Sequence, residues 1–327
     1  MDLKQGLEKR VDVFNRELEK FLKEGSPKTL YDAARYLPLA GGKRLRPCIS
    51  MLSCEAVHGD VKKVMPLAVA LELIHNFTLV HDDIMDKSKL RRNLPAVHIK
   101  FGESTAITAG DLLFAKAFEA MHGVYGNLSV FKDVDFGLVE CVREICEGQQ
   151  LDMEFEKRQN VTEKEYLEMI LKKTASLFRF AAEGGAMVGG GTKEEANALK
   201  KYGKSLGLAF QIRDDYLDIS SDEKILGKDI GNDIRNGKKT LIAVHSLNTA
   251  VGDDKKLLDK IFGNKGASEQ DIRRVYNLFK EMKSVEYAKN TALRYSKMAK
   301  NALGVLDDSQ AKEVLMELAD YSIKREK

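Results

Sequence analysis

Apolar residues recur along this chain at intervals of three and four, the period of an amphipathic helix, and almost nowhere at the alternating period of a strand. Leu7, Val11, Phe14, Leu18 and Phe21 form the first such stripe, and Gly25-Ser26-Pro27 supplies its stop. The same spacing predicts helices near 43–58, 62–86, 104–123, 129–148, 162–189 and 193–218. Gly and polar clusters separate them: HGD at 58–60, YGN at 125–127 and GGGT at 189–192. GKDIGNDIRNGKK at 227–239 reads as a loop, and four or five more helices follow it to a basic tail ending IKREK. No convincing strand, no Pro- or Ser-rich linker and no repeat of about 20 to 50 residues interrupts the pattern. The expected fold is therefore all-α, a single large helical bundle over residues 1–327.

One phrase occurs twice. LVHDDIMD at 79–86 and QIRDDYLD at 211–218 both contain DDxxD, 132 residues apart, each at the end of an apolar helical stretch. On a helix the first and last aspartates of such a motif lie about 40° apart around the axis with ~6 Å of rise, so one face presents two carboxylates. The middle aspartate lies about 100° to the side. If the two helices face one another, six carboxylates converge, and their repulsion demands cations. All-oxygen ligands suit hard metals, Mg2+ above all, which takes one or two carboxylates together with substrate phosphates.

Cations are also present, in four clusters. GGKRLRP at 41–47 offers Lys43, Arg44 and Arg46 beside glycines that permit close backbone approach. Arg91 and Arg92 follow the first motif, Lys172, Lys173 and Thr174 sit mid-helix, and Lys228, Lys238 and Lys239 follow the second motif. Any one of these is an ordinary solvated face; together, with two adjoining the aspartate motifs, they point to diphosphate recognition.

Composition narrows the remaining classes. With 43% hydrophobic and 31% charged residues the chain is globular rather than disordered. A net charge of +3 is too mild for nucleic-acid binding. Cys48, Cys54, Cys141 and Cys146 form no CxxC pair and read as reduced core residues. No run of 18 apolar residues is present and the N-terminus lacks the apolar stretch of a signal peptide, so no transmembrane segment and a cytoplasmic location are expected. Asp135-Phe136-Gly137 spells a kinase motif without its companions, and Gly203-Lys204-Ser205 lacks the earlier glycine of a P-loop. The Gly-rich stretch 181–191 reads as a closely packed helix end. Glu55–His58, Glu72–His75 and Glu119–His122 have the spacing of a di-iron carboxylate bundle, but such a site explains neither the duplicated DDxxD nor the basic clusters.

In order along the chain, GGKRLRP, HNFTLVHDDIMDKSKLRR, GDLLFAKAF, GQQLDM, KKTASLF, FQIRDDYLD and GKDIGNDIRNGKKT resemble a trans-isoprenyl (polyprenyl) diphosphate synthase over most of its length. Terpene cyclases share the aspartate logic but usually carry an NSE/DTE type of second motif, which 214–218 is not. The resemblance implies about a dozen helices around a deep apolar cavity, usually in a homodimer. It implies condensation of isopentenyl diphosphate with an allylic diphosphate (dimethylallyl, geranyl or farnesyl), with two or three Mg2+ per active site. Carried over by position, Asp82 and Asp86 bind metal with Asp83 assisting, and Asp214 and Asp218 bind metal with Asp215 in support. Lys43, Arg46, His75 and Arg92 hold isopentenyl diphosphate. Arg91, Lys173, Thr174, Gln211, Lys228 and Lys238 hold the allylic partner, and Lys173 and Lys228 join the six aspartates as catalytic residues.

Product length has its own positions. Thr78 lies one turn before Asp82 on nearly the same face, whereas Phe77 lies about 140° round, so geometry alone does not choose Phe77. An aromatic at Phe77 is similar to archaeal-type geranylgeranyl diphosphate synthases, which implies a C20 product with some C15. Farnesyl or longer-chain synthesis is the alternative within the family. A non-catalytic regulatory subunit of a heteromeric synthase is the alternative outside catalysis, although such subunits typically lose one aspartate motif.

Overall fold

The computed structural model describes residues 3–124, 128–220 and 230–324, with no account of side chains at 124, 128–129, 218–220 and 230–232. Apart from one minimal hairpin, its regular structure is helical. The elements run α1 (Leu3–Phe21), α2 (Lys28–Leu39), α3 (Leu45–Ala56), α4 (Val61–Met85), β1 (Leu90–Arg91), β2 (Leu94–Pro95), α5 (Val97–Phe101) and α6 (Glu103–Met121). They continue with α7 (Leu128–Lys157), α8 (Glu163–Ile170), a π-helical turn (Leu171–Ala175), α9 (Ser176–Gly189), α10 (Lys193–Ser220) and α11 (Ile230–Asn236). The last are α12 (Leu241–Thr249), α13 (Gly252–Ile261), α14 (Glu269–Glu281), α15 (Ser284–Ala302) and α16 (Gln310–Lys324).

The chain groups into two compact units. The first comprises described residues within Met1–Val142, Phe180–Lys200 and Leu303–Glu317, the second those within Arg143–Arg179, Lys201–Ala302 and Leu318–Lys327.

In the first unit α4 is the central element. Asp60 caps its start, accepting from the Lys62 N–H, and the helix buries Val64, Leu67, Ala68, Leu71, Leu73, Ile74 and Val80. Each fully buried Leu or Val contributes ~1.5–3 kcal/mol, so this one helix anchors the unit. By length and composition α4 would also pass for a membrane span, but most of that stretch is buried inside the protein. Gly185 of α9 lets the chain lie against the Ser50 backbone of α3, where a Cβ would stand 2.3 Å from the carbonyl oxygen. The Gly-rich stretch is thus close packing, as its sequence indicates.

In the second unit Phe155, Tyr166, Ile170, Ile212, Leu241, Leu258, Val275 and Phe279 belong to one apolar core. Its α8 opens on a capping box in which Thr162 and Glu165 satisfy each other's backbone N–H groups.

Several expectations are corrected. Residues 227–239 are not all loop, since α11 forms there; Arg235 donates to the Ala267 carbonyl and Ile234 is buried, so tertiary contacts hold a helix too short to persist alone. A hairpin exists at 90–95, paired Leu90 to Pro95 and Arg91 to Leu94, too short to show an alternating pattern. Cys48, Cys54 and Cys141 are buried, as expected, but Cys146 is exposed because it falls on the outer face of α7.

Candidate active site

The first aspartate motif closes α4. Asp82 and Asp83 lie in its last turn and Asp86 is its C-cap residue, so three carboxylates are added to the negative pole of the helix dipole. That is an unfavourable place for anions unless positive charge is near. Asp83 is buried, and the Arg91 guanidinium grips it, Nη2 at 2.6 Å and Nε at 3.0 Å from Oδ1. Asp82 is half-buried and Asp86 exposed. The carboxylate set is all oxygen and fits a hard divalent ion.

Arg91 and Arg92 are neighbours that aim at different places, and the hairpin is the cause. Arg92 and Asn93 are its two loop residues, with φ of 53° and 60°, the left-handed pair of a type I′ turn. Arg91 is carried on the strand towards Asp83. Arg92, on the turn, reaches back to α2, donating to the carbonyls of Leu37 (2.9 Å) and Gly41. The Leu37 carbonyl already accepts from the Ala40 N–H, so Arg92 is its second donor, and the guanidinium lies against the GGKRLRP segment. Gly42, at φ 133°, accepts this approach: a Cβ there would meet the Arg92 guanidinium at 3.0 Å.

Arg44 plays the matching structural part. It is buried, donates to Pro38 O at 2.6 Å and pairs with buried Glu72 at 2.5 Å. Asn76 adds a hydrogen bond to Glu72 Oε1 at 3.0 Å. Of the three cations in GGKRLRP, Arg44 therefore spends its charge on Glu72, while Lys43 is exposed and Arg46 half-buried. His75 lies one turn along α4 from Glu72, and its imidazole is held well below the ordinary histidine range by burial, then by Arg46, Arg92, Arg91 and Arg44. Arg46, His75 and Arg92 thus lie in one positive basin of this unit, with His75 neutral at physiological pH. Glu72, which organises it, carries no sequence signal beyond its helical spacing. The ExxH glutamates are committed to basic partners, Glu55 to Arg10, Glu72 to Arg44 and Glu119 to Lys116.

Phe77 meets the His81 ring at 4.9 Å and Phe114 of α6 at 5.5 Å, and Phe114 meets Phe118 at 5.1 Å. Thr78 returns its hydroxyl to the His75 carbonyl at 2.8 Å. The two product-length positions therefore diverge, Phe77 into an aromatic stack and Thr78 onto its own helix.

In the second unit the stretch expected as mid-helix is a π turn, in which the Ser176 N–H donates to the Leu171 carbonyl five residues back. Adjacent residues of a helix point about 100° apart, so the two lysines of this turn face different neighbours. Lys172 pairs with Glu147 at 3.0 Å and Glu168 at 3.4 Å, whereas Lys173 pairs with Asp152 at 2.6 Å. Gly148 of α7 makes room for this turn, since a Cβ there would lie 2.2 Å from the Lys173 amide nitrogen.

The second aspartate motif lies in the last turns of α10. Asp215 is buried and accepts from the Tyr166 hydroxyl at 2.8 Å and from Gln211 Nε2 at 2.9 Å. The Thr174 hydroxyl donates to Gln211 Oε1 at 2.8 Å. Thr174, Gln211 and Asp215 are brought together by these bonds; Tyr166 and Asp152 are additional, and only their fold-given partners mark them. Asp214 is half-buried, and Lys238 lies 3.5 Å from Asp233. Lys228 lies outside the described residues, as do the side chain of Asp218 and the tail residues 325–327.

Comparison with known proteins gives a consistent picture. The family model described as polyprenyl synthetase matches residues 27–279. A geranylgeranyl diphosphate synthase of Methanosarcina mazei is 44% identical over 327 residues, covering 100% of this chain and 99% of that protein. The crystal structure of a geranylgeranyl pyrophosphate synthetase from Pyrococcus horikoshii matches with a TM-score of 0.93 at 43% identity, covering 99% of this chain and 98% of the other. A polyprenyl synthase from Caulobacter crescentus, solved with calcium and isoprenyl diphosphate, matches with a TM-score of 0.90 at 33% identity, over 99% and 97% of the two chains.

Proposed function

The chain belongs to the polyprenyl synthetase family and is a trans-prenyltransferase, and on that premise we propose that it condenses isopentenyl diphosphate with allylic diphosphates to make mainly geranylgeranyl diphosphate. The family acts on small diphosphates and uses divalent metal ions. Here the ion is Mg2+, two or three per site.

One observation carries the site assignment. In each DDxxD the middle carboxylate is buried and held by protein donors, Asp83 by Arg91 and Asp215 by Tyr166 and Gln211. The outer positions Asp82, Asp86, Asp214 and Asp218 are the metal ligands. Mg2+ held there would supply neutralisation of the charge that develops on the departing diphosphate. Lys173, Thr174, Gln211, Lys228 and Lys238 hold the allylic diphosphate with Arg91, and Lys43, Arg46, His75 and Arg92 hold isopentenyl diphosphate. The allylic C–O bond breaks, the homoallylic double bond attacks the carbon it leaves, and a proton passes from the new chain to the released diphosphate. His75, already neutral amid four arginines, serves as a diphosphate contact rather than a base.

Phe77, backed by Phe114, forms the floor that stops the chain at C20, with Thr78 admitting it that far. Phe136, Val139 and Ile107, exposed apolar residues of α7 and α6, support burial against a second copy in a homodimer. The enzyme works in the cytoplasm. Isopentenyl and farnesyl diphosphates incubated with Mg2+ and the protein should yield geranylgeranyl diphosphate on chromatography. A folded protein without turnover would overturn the reaction.

A further inference from the structure

Tyr166 is a buried group of the second unit that the reaction scheme leaves unused. Its side chain has no exposure and its ring sits in the apolar core beside Ile170 and Ile212. It cannot touch a substrate diphosphate from there. Its hydroxyl nonetheless donates to Asp215 Oδ2 at 2.8 Å, while Asp215 Oδ1 takes the Gln211 amide at 2.9 Å.

The polarity of this chain is fixed at each link. A tyrosine hydroxyl facing a carboxylate donates, an amide facing the other carboxylate oxygen must present Nε2, and that leaves Oε1 to accept from Thr174. Each donor–acceptor link polarises the next in a buried setting. Three elements are tied in this way: α8 through Tyr166, α10 through Gln211 and Asp215, and the π turn through Thr174.

We propose that Tyr166 is a positioning residue: by pinning Asp215 it sets the orientation of the Gln211 amide and the Thr174 hydroxyl, and so shapes the allylic diphosphate site without touching it. The proposal rests on the prenyltransferase reading above. Removal of the hydroxyl takes one donor from the Asp215 carboxylate, and the alignment it gives the Gln211 amide and Thr174 hydroxyl loosens with it. The residues assigned to isopentenyl diphosphate belong to the first unit.

Tyr166→Phe keeps the ring and its packing. Its KM for farnesyl diphosphate should rise about ten-fold, the worth of one hydrogen bond to a charged group, with the KM for isopentenyl diphosphate unchanged. Mn2+ titrated by electron paramagnetic resonance in the presence of farnesyl thiodiphosphate, an unreactive allylic analogue, should bind more weakly by a similar factor. Tyr166→Phe combined with Asp215→Asn should be no worse than Asp215→Asn alone, because the hydroxyl acts through that carboxylate. Incorporation of 3-fluorotyrosine at 166, which retains the hydroxyl, should restore the wild-type constants. If the Phe variant does not fold, wild-type protein labelled at the tyrosine ζ carbon carries the test: the Tyr166 resonance should move with Mg2+ and the thiodiphosphate, and not with isopentenyl diphosphate. Unchanged constants, a parallel rise in both KM values, additive effects in the double variant or a static resonance would each overturn the role of Tyr166. Wild-type protein without turnover would instead overturn the reaction on which it rests.

Discussion

Gly148→Ala should damage catalysis far more than a single added methyl normally does. The new Cβ would lie 2.2 Å from the Lys173 amide nitrogen, 2.7 Å from its Cα and 2.8 Å from the Lys172 carbonyl carbon. All three are backbone atoms, so no side chain can swing aside. Ordinary contact begins at 3.4 Å, which requires about 1.2 Å of separation between α7 and the π turn. Overpacking of this kind costs about 1–3 kcal/mol of stability. The larger consequence is positional, because the turn carries Lys173 and Thr174, and a displacement of about 1 Å in groups that orient a substrate costs roughly 10²-fold in rate. Steady-state kinetics with farnesyl diphosphate, beside a thermal melt, separates the two effects. A kcat/KM loss near 10²-fold with a melting point lowered by only a few degrees is expected. Gly304→Ala, where a Cβ meets nothing within 4 Å, is the matched control and should be silent. Near-wild-type kinetics for Gly148→Ala would refute the view that the π turn is held in place by backbone contact with α7.

The two adjacent arginines should separate by phenotype. Arg91→Ala leaves buried Asp83 without its guanidinium, so it should cost about 3–5 kcal/mol of stability and chiefly raise the allylic KM, whereas Arg92→Ala should chiefly raise that of isopentenyl diphosphate. Identical effects on both constants would contradict the division. Phe77→Ser opens the aromatic stack against Phe114 and should lengthen the product; an unchanged radiolabelled product profile would remove Phe77 from length control. His75 has a depressed native value, so the unfolded chain takes up its proton first and stability is lost as pH falls below about 6.5 towards that value. His75→Gln should flatten this part of a pH–stability curve measured by thermal melting, and an unaltered slope would count against it.

Much of the molecule was legible in order of residues. The three-and-four spacing located the major helices because burying an apolar stripe is what makes a helix persist, and that stripe is a local pattern. Paired DDxxD phrases with nearby cations pointed to metal and diphosphate chemistry because clustered like charges are costly without positive charge beside them. What sequence could not supply was direction. Arg91 and Arg92 are indistinguishable as letters; a type I′ turn sends one to Asp83 and the other to the end of α2. Lys172 and Lys173 differ through what packs around their turn, Glu147 beside the first and Asp152 beside the second. Tyr166, 49 residues from Asp215, enters the site through packing alone. The sequence by itself determined which chemistry the chain carries and on which helices, since periodicity and charge are written locally. Which carboxylates are held inside and which cation serves which partner was decided by tertiary structure, because hydrogen-bond direction and burial depend on neighbours distant along the chain.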